Sequence, residues 1–206
     1  MNLAQQSLSL AGLLRTRRSI RRFASQPVED ELLKRILEAA TWAPSAHNRQ
    51  PWRFAALTSE EAKAKLAEEM GADFRRDLLN DGVDSEEAMK LVERSRNRML
   101  EAPVVVMLCL DPTLGDHYPD AARQQAEYIM GVQGVALAGG TLLLAAHAEG
   151  LGGVWVCAPL FAKTTVQRAL GLPENWEPQG MLLLGYPAKI PPPRARVPVD
   201  EVTWYL

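Results

Sequence analysis

Eighteen consecutive residues, Ile129 to Ala146, carry no charged side chain. A run of that length reaches the lower limit for crossing a bilayer, so it either spans a membrane or fills the middle of a fold. Gly131, Gln133, Gly134, Gly139, Gly140 and Thr141 lie within it, Glu127 and Glu149 flank it closely, and no aromatic belt marks its ends. The run therefore reads as a helix buried in a protein core or an oligomer interface, because a helix apolar on all sides needs cover all round. Its glycines would admit a neighbouring backbone or a flat ligand at close range.

The remaining residues are consistent with one globular unit over residues 1–206: the hydrophobic share is 47% and the charged share 23%, enough for a core and too apolar for a disordered chain. With 23 Lys plus Arg against 25 Asp plus Glu, the net charge of -2 supplies no global field for a polyanion, which disfavours general nucleic-acid binding. Cys109 and Cys157 both sit in apolar runs, so reduced, buried thiols in the cytoplasm are expected, with no Cys/His metal constellation. Met1 to Leu14 lacks the basic start and small-residue cleavage site of an export signal. No membrane association is expected.

Periodicity predicts an α+β order. A helix ends over Leu8 to Leu14, and a second runs from Glu29 to Trp42 with Leu32, Leu33, Ile36, Leu37 and Ala40 inward, stopped by Pro44. Arg53 to Leu57 reads as a strand, and Thr58 with Glu61 as a capping box for the next helix. Asp84 and Glu87 repeat that signal for a helix to Leu100, with Ala88, Met89, Val92 and Met99 inward and a Glu86/Lys90 pair outward. Val104 to Leu110 is a buried strand, a long helix covers about Tyr118 to Glu149, Val154 to Cys157 and Met181 to Gly185 are strands, and Thr164 to Leu170 is a helix. Pro191, Pro192 and Pro193 force an extended tail whose Val197, Val199, Val202, Trp204 and Tyr205 need something to pack on. The irregular connections favour a layered α+β sheet, mixed or antiparallel, with helices around it.

Three segments can carry chemistry. Arg15, Arg17, Arg18, Arg21 and Arg22 put five guanidinium groups within eight residues, with Ser19 adding a hydroxyl. Arginine presents a fork of donors matched to phosphate oxygens, although a solvated basic turn or a nucleic-acid tract has the same composition. Arg194 and Arg196 form a second basic pair, with side chains on one side of an extended tail, and could converge with the first on one phosphate. The third segment, Ala43-Pro44-Ser45-Ala46-His47-Asn48-Arg49-Gln50-Pro51-Trp52, joins a helix to a strand through small and amide side chains, as an ordinary polar loop or as a contact for a polar heterocycle.

Together these segments resemble the nitroreductase family of FMN-dependent flavoproteins, over about Arg15 to Trp204. The specific match is Ala43, Pro44, Ser45, Asn48, Gln50, Pro51 and Trp52. The resemblance implies a nitroreductase-like layered fold, with a C-terminal arm reaching onto the partner of a homodimer. It implies that Arg17, Arg18 and Ser19 hold the FMN phosphate, that Arg21 reaches toward N1 and O2 of the ring, and that Arg194 and Arg196 close from the tail. Pro44, Ser45, Ala46 and Asn48 would come from the other subunit, and Cys157-Ala158 would face flavin N5. Ala46 and His47 depart from the second hydroxyl residue that many relatives carry there. The implied activity is hydride transfer from NAD(P)H through FMN to a nitroaromatic, quinone or enone-like small molecule.

A flavin brings its own hydride chemistry, which agrees with the lack of a visible nucleophile, acid/base dyad or metal site. No G-x-G-x-x-G follows a strand, and Gly150-Leu151-Gly152-Gly153 reads as a helix C-terminal turn. His47, His117 and His147 have no triad partner at a recognisable spacing. The segment from Gly131 to Pro187 also resembles the nitroreductase-type domain that reduces a dehydro form of the deazaflavin coenzyme, a narrower alternative. A non-catalytic flavin-binding protein is the alternative of another class. Arg94 and Arg98, four residues apart, share one helix face with Arg96 and Arg123 as possible neighbours, and either form a solvated basic face or read the charge of an acceptor.

Overall fold

The computed structural model describes residues 9–206; Leu8 and the start of the Met1–Leu14 segment lie outside them. Four strands form one antiparallel sheet in the order β1-β2-β4-β3, from β1 (Trp52–Leu57), β2 (Val104–Leu110), β3 (Gly152–Val156) and β4 (Glu177–Gly185). The helices are α1 (Leu10–Thr16), α2 (Asp30–Ala40), α3 (Glu60–Asn80), α4 (Ser85–Leu100), α5 (Ala121–Ala148), α6 (Lys163–Leu170) and the single turn α7 (Val199–Val202).

β2 explains the layering. Its seven residues, Val-Val-Val-Met-Leu-Cys-Leu, are all buried. Side chains alternate across a strand, so Val104, Val106, Leu108 and Leu110 enter a core shared with α2 and α5, while Val105, Met107 and Cys109 enter a second core with α3 and α6. In β4, Leu182 and Leu184 join the first core, and Met181 and Leu183 the second. A strand apolar on both faces is stable only between two helical layers.

β4 begins four residues before the expected Met181, because a β-bulge carries Pro178 into the sheet. Leu108 pairs with Gly180 but Cys109 with Pro178, so Gln179 is the extra residue, and the bulge tolerates a proline that cannot donate to a regular ladder. Two more expectations change. Ser59, not Thr58, caps α3 by accepting from the Ala62 N–H at 3.2 Å. Met89 is 57% exposed rather than inward, whereas Ala88 and Met99 are buried and the Glu86/Lys90 pair forms at 2.6 Å.

α5 is the one described helix long and apolar enough to cross a membrane, yet its inner face packs across the sheet as a core helix. Val135, Ala138, Leu142 and Ala146 are fully buried there. The outer face is not covered within one chain, and Ile129 and Leu137 are 46% and 49% exposed. Asp120 caps the helix through the Arg123 N–H at 2.9 Å. It ends at Gly150, in the left-handed region at φ +83°, where the Leu151 N–H returns to the Ala146 carbonyl at 2.8 Å. Gly152 and Gly153, expected in that turn, belong to β3, where added Cβ atoms would strike Ile20 at 2.5 Å, and Leu143 and Leu184 at 2.7 Å.

α5 packs tightly on the sheet at Gly139, where a Cβ would lie 2.3 Å from the Trp155 ring and 2.6 Å from Leu108. Gly139→Ala should therefore destabilise the protein by about 1–3 kcal/mol in chemical denaturation, since overpacking moves the ring or the helix. An unchanged midpoint would mean that Trp155 moves aside freely.

Candidate functional site

The two arginine clusters meet. Arg17, Arg18, Ser19 and Arg21 from the segment after α1 and Arg194 and Arg196 from the tail line one pocket of about 130 Å³, with Pro191 and Pro192 as its apolar wall. The backbone builds it in three steps. Ser19 bridges Gly153 in parallel, with the Ile20 N–H donating to the Gly153 carbonyl at 3.0 Å. The chain then crosses to β4, where the Ala24 N–H donates to the Tyr186 carbonyl and the Ala188 N–H to the Arg22 carbonyl. The polyproline tail leaves from that junction and brings residues 194–196 back. Gly152 lets Ile20 lie flat against β3.

No carboxylate among the described residues lines this pocket. Arg18 is held by its own backbone, donating to the carbonyls of Arg15 at 2.7 Å and Arg17 at 2.9 Å, and Arg196 donates to the carbonyls of Arg194 and Ala195. Arg17, Arg21 and Arg194 form no ion pair among the described residues. The positive potential registers on His147, whose Nε2 lies 2.8 Å from Thr16 Oγ1. Burial, with the charges of Arg17 and Arg18 added, holds the His147 imidazole below its ordinary pKa. A tight set of like charges facing one pocket is an anion site by its chemistry.

Arg21 also lines a second, larger groove of about 1430 Å³, between the chain after Arg21 and α4. Arg22, Lys90, Arg94 and Arg98 face the same groove, as do Asp30, Glu60, Glu93 and Glu101. Arg94 and Arg98 thus share a groove with a residue of the anion pocket, an arrangement set by the return of α4 and unreadable from spacing alone.

Pro44, Ser45, Ala46 and Asn48 do not line the arginine pocket in the same chain. They lie on a loop containing a short 3-10 turn, Ala46–Asn48. His47, Asn48 and Gln50 all have positive φ, at 50°, 53° and 50°, an uncommon backbone for non-glycine residues. Ser45 Oγ holds the loop by accepting from the Gln50 N–H at 3.0 Å.

Cys157 and Ala158 follow β3, at the start of a 3-10 turn over Ala158–Phe161. Cys157 is exposed, against the expectation of a buried thiol, because it sits one residue past the strand and outside the pleat; Trp155 Nε1 donates to its sulfur at 3.2 Å. Cys109 is buried as expected, and desolvation pushes its thiol up to about 12. Beside this turn lies a polar cluster that the sequence does not announce. Lys163 Nζ, Tyr128 OH at 2.5 Å and Gln179 Nε2 at 3.1 Å all converge on Glu177 Oε1. Burial pushes the Glu177 carboxyl up, but the hydrogen bonds from Lys163 and Tyr128 outweigh it and hold the group below its usual range.

Residues 14–186 match the Nitroreductase family. A Methanothermobacter thermautotrophicus protein named "Putative NADH dehydrogenase/NAD(P)H nitroreductase" is 32% identical over 193 residues, covering 92% of this chain and 83% of that protein. A "putative nitroreductase in complex with FMN" from Desulfovibrio desulfuricans is 26% identical, with a TM-score of 0.71 over 100% of this chain and 98% of that one. A BluB-like flavoprotein of Clostridium difficile 630 shares the fold with a TM-score of 0.78 at 23% identity, covering 96% and 99% of the two chains.

The depressed His147 predicts a pH dependence. The unfolded chain binds a proton at the ordinary value of 6.5 while the folded chain resists it, so stability is lost as pH falls through that value toward the folded one. His147→Gln should flatten this part of the stability profile, measured by denaturation at successive pH values. A profile unchanged in the variant would assign the loss to other groups.

Proposed function

The chain belongs to the nitroreductase family, and from that premise we propose that it is an FMN-dependent NAD(P)H oxidoreductase acting as a cytoplasmic homodimer. The observation that carries the reading is the convergence of two remote arginine clusters and Ser19 on one carboxylate-free pocket. FMN, when bound, would supply the hydride chemistry that links NADH or NADPH to a nitroaromatic, quinone or enone-like acceptor.

The chain's residues bind and orient. Arg17 and Ser19 would donate to the phosphate, Arg194 and Arg196 would close over it from the tail, and Arg18, tied to carbonyls, would contribute charge. Arg21 sits where the pocket meets the larger groove, and its permanent charge stabilises negative charge on the N1 and O2 side of the ring. The backbone at Cys157 and Ala158 presents N–H groups to the ring. Pro44, Ser45, Ala46 and Asn48 complete the site of the other subunit, which agrees with their lying outside the arginine pocket of their own chain.

Two exposed apolar surfaces support the dimer: Ile129 and Leu137 on the outer face of α5, and the tail, where Trp204 and Tyr205 are 87% and 78% exposed. The arginines of the large groove favour a second reading for the acceptor, an anionic molecule such as a dehydro deazaflavin precursor. A flavin-binding protein without turnover is separated by stopped-flow mixing with NADPH, since it would be reduced by dithionite alone.

Three outcomes are expected. Arg17→Ala and Ser19→Ala should leave the far-ultraviolet circular dichroism intact and weaken FMN binding, for Arg17→Ala by about tenfold or more, because a hydrogen bond to a charged group contributes about 1.5–3 kcal/mol; unchanged affinity would remove this segment from the site. Deleting residues 199–206 should lower both flavin content and dimer content in analytical ultracentrifugation, and a flavin-loaded monomer of the intact chain would contradict the assembly. Replacing Arg94 and Arg98 together by Gln should raise KM for a phosphate- or carboxylate-bearing acceptor more than for a neutral quinone. Equal losses would show that the groove does not read substrate charge.

A further inference from the structure

The geometry points to Glu177 as a positioning residue: with Lys163, Tyr128 and Gln179 it forms a clamp that fixes the turn over residues 157–161 at the edge of the sheet. This role rests on the flavin reading, under which that turn meets the ring, and it falls to side chains that hold the turn without touching the cofactor.

Register places the clamp against the turn. β3 is an edge strand, and its last pair, Val156 with Met181, leaves the turn alongside Gly180 and Gln179 of β4. Gln179 is the extra residue of the bulge, and bulges re-aim side chains next to functional sites. Here Gln179 is 5% exposed, and its Nε2 reaches Glu177 Oε1 at 3.1 Å and Tyr128 OH at 3.5 Å. Lys163 opens α6 two residues after Phe161 and donates to the same Oε1. Tyr128, from α5 across the sheet, completes the set at 2.5 Å. One carboxylate oxygen thus ties α5, α6 and the start of β4 together.

The turn has little else to hold it. Of residues 157–161 only Pro159 and the half-buried Ala158 are not exposed, and Phe161 stands 83% open. Two backbone hydrogen bonds close it, from the Leu160 N–H to the Cys157 carbonyl at 3.0 Å and from the Ala162 N–H to the Pro159 carbonyl at 3.2 Å. No side chain caps α6 at Ala162. At the near end Trp155 Nε1 donates to Cys157 Sγ, with the Trp155 ring seated on Gly180, where a Cβ would be 3.1 Å away. The far end is held by the clamp. Burial lowers the Lys163 pKa, but the hydrogen bonds to Glu177 and Tyr128 outweigh it and raise it, so both partners are charged near neutral pH. A half-buried ion pair contributes little net stability, because desolvation offsets the attraction. What a charge-assisted hydrogen bond fixes is distance and direction.

The test compares wild type with Lys163→Met, Lys163→Arg and Glu177→Ala, each loaded with FMN, by visible circular dichroism of the bound flavin and by stopped-flow reduction with NADPH. Lys163→Met and Glu177→Ala should bind FMN as tightly as wild type, because the arginine pocket is untouched. They should change the flavin dichroism and slow reduction at saturating NADPH by about tenfold, with KM for NADPH unchanged, since rate falls steeply when reacting groups are misplaced. Lys163→Arg, which keeps the charge and the donors, should restore both readouts. A lowered Tm with unaltered flavin dichroism and unaltered reduction of the bound flavin would make the cluster a structural tie only and overturn the positioning role. Wild type that binds no FMN would defeat the flavin reading and this role with it, whereas unchanged readouts in FMN-loaded variants would defeat this role alone. Should Lys163→Met and Glu177→Ala fail to fold, a crystal structure of the wild type with FMN decides: a ring against the backbone of residues 157–158, with Glu177 Oε1 still accepting from its three donors, supports the clamp, and a ring remote from the turn overturns it.

Discussion

β2 is buried on both faces along its whole length, so the sheet cannot stand with one side in water. α2 and α5 cover one side, and α3 and α6 the other. The layering sets where the ends of the strands open. Ile20 lies against the sheet because β3 starts with Gly152, where any Cβ would strike it, and the passage from there to Tyr186 delivers the tail to the same corner. The anion pocket is therefore a consequence of edge packing at β3, not a separate module.

Charge is organised locally against a nearly neutral total. Among the described residues no carboxylate lines the arginine pocket, whereas several charges elsewhere are paired: Glu177 with Lys163, Asp111 with Arg53, Arg168 with Glu69. Uncompensated positive charge in one corner stores electrostatic free energy that an anion releases, and it adds to burial in depressing the His147 imidazole. Glu127, one of whose carboxyl oxygens no donor among the described residues reaches, lines a cavity together with Ala46 and Pro51 of the loop that carries the three positive-φ residues. The arginine corner adjoins the carboxyl end of α5 through His147, and the outer face of that helix remains half open to water in a single chain.

Much of this architecture is local, and so was legible without coordinates. Val104–Leu110 matches β2 residue for residue, because β-branched content and flanking Pro103 and Asp111 act over a few positions. Asp84 caps α4 through the N–H groups of Glu86 and Glu87, as its spacing from Glu87 implies. The early part of β4 was hidden, because Pro178 is compatible with a sheet only through a bulge that the partner strand must accommodate. Cys157 looked buried from its apolar neighbours, but burial there depends on where the pleat ends.

The sequence by itself determined the order of the elements, the two-faced strand, the uncharged core helix and the arginine-rich segments available for an anion, since each depends on residue type and spacing within one element. Only the tertiary structure decided that residues 17–21 and 194–196 share a pocket, that Arg94 and Arg98 face the groove beside Arg21, and that Glu127 lies under Gly115 with one oxygen unpaired. These are meetings between residues from 12 to 179 positions apart along the chain. Their geometry follows from how the chain crosses the ends of the sheet, and loop closure over such lengths is nearly indifferent to the local sequence.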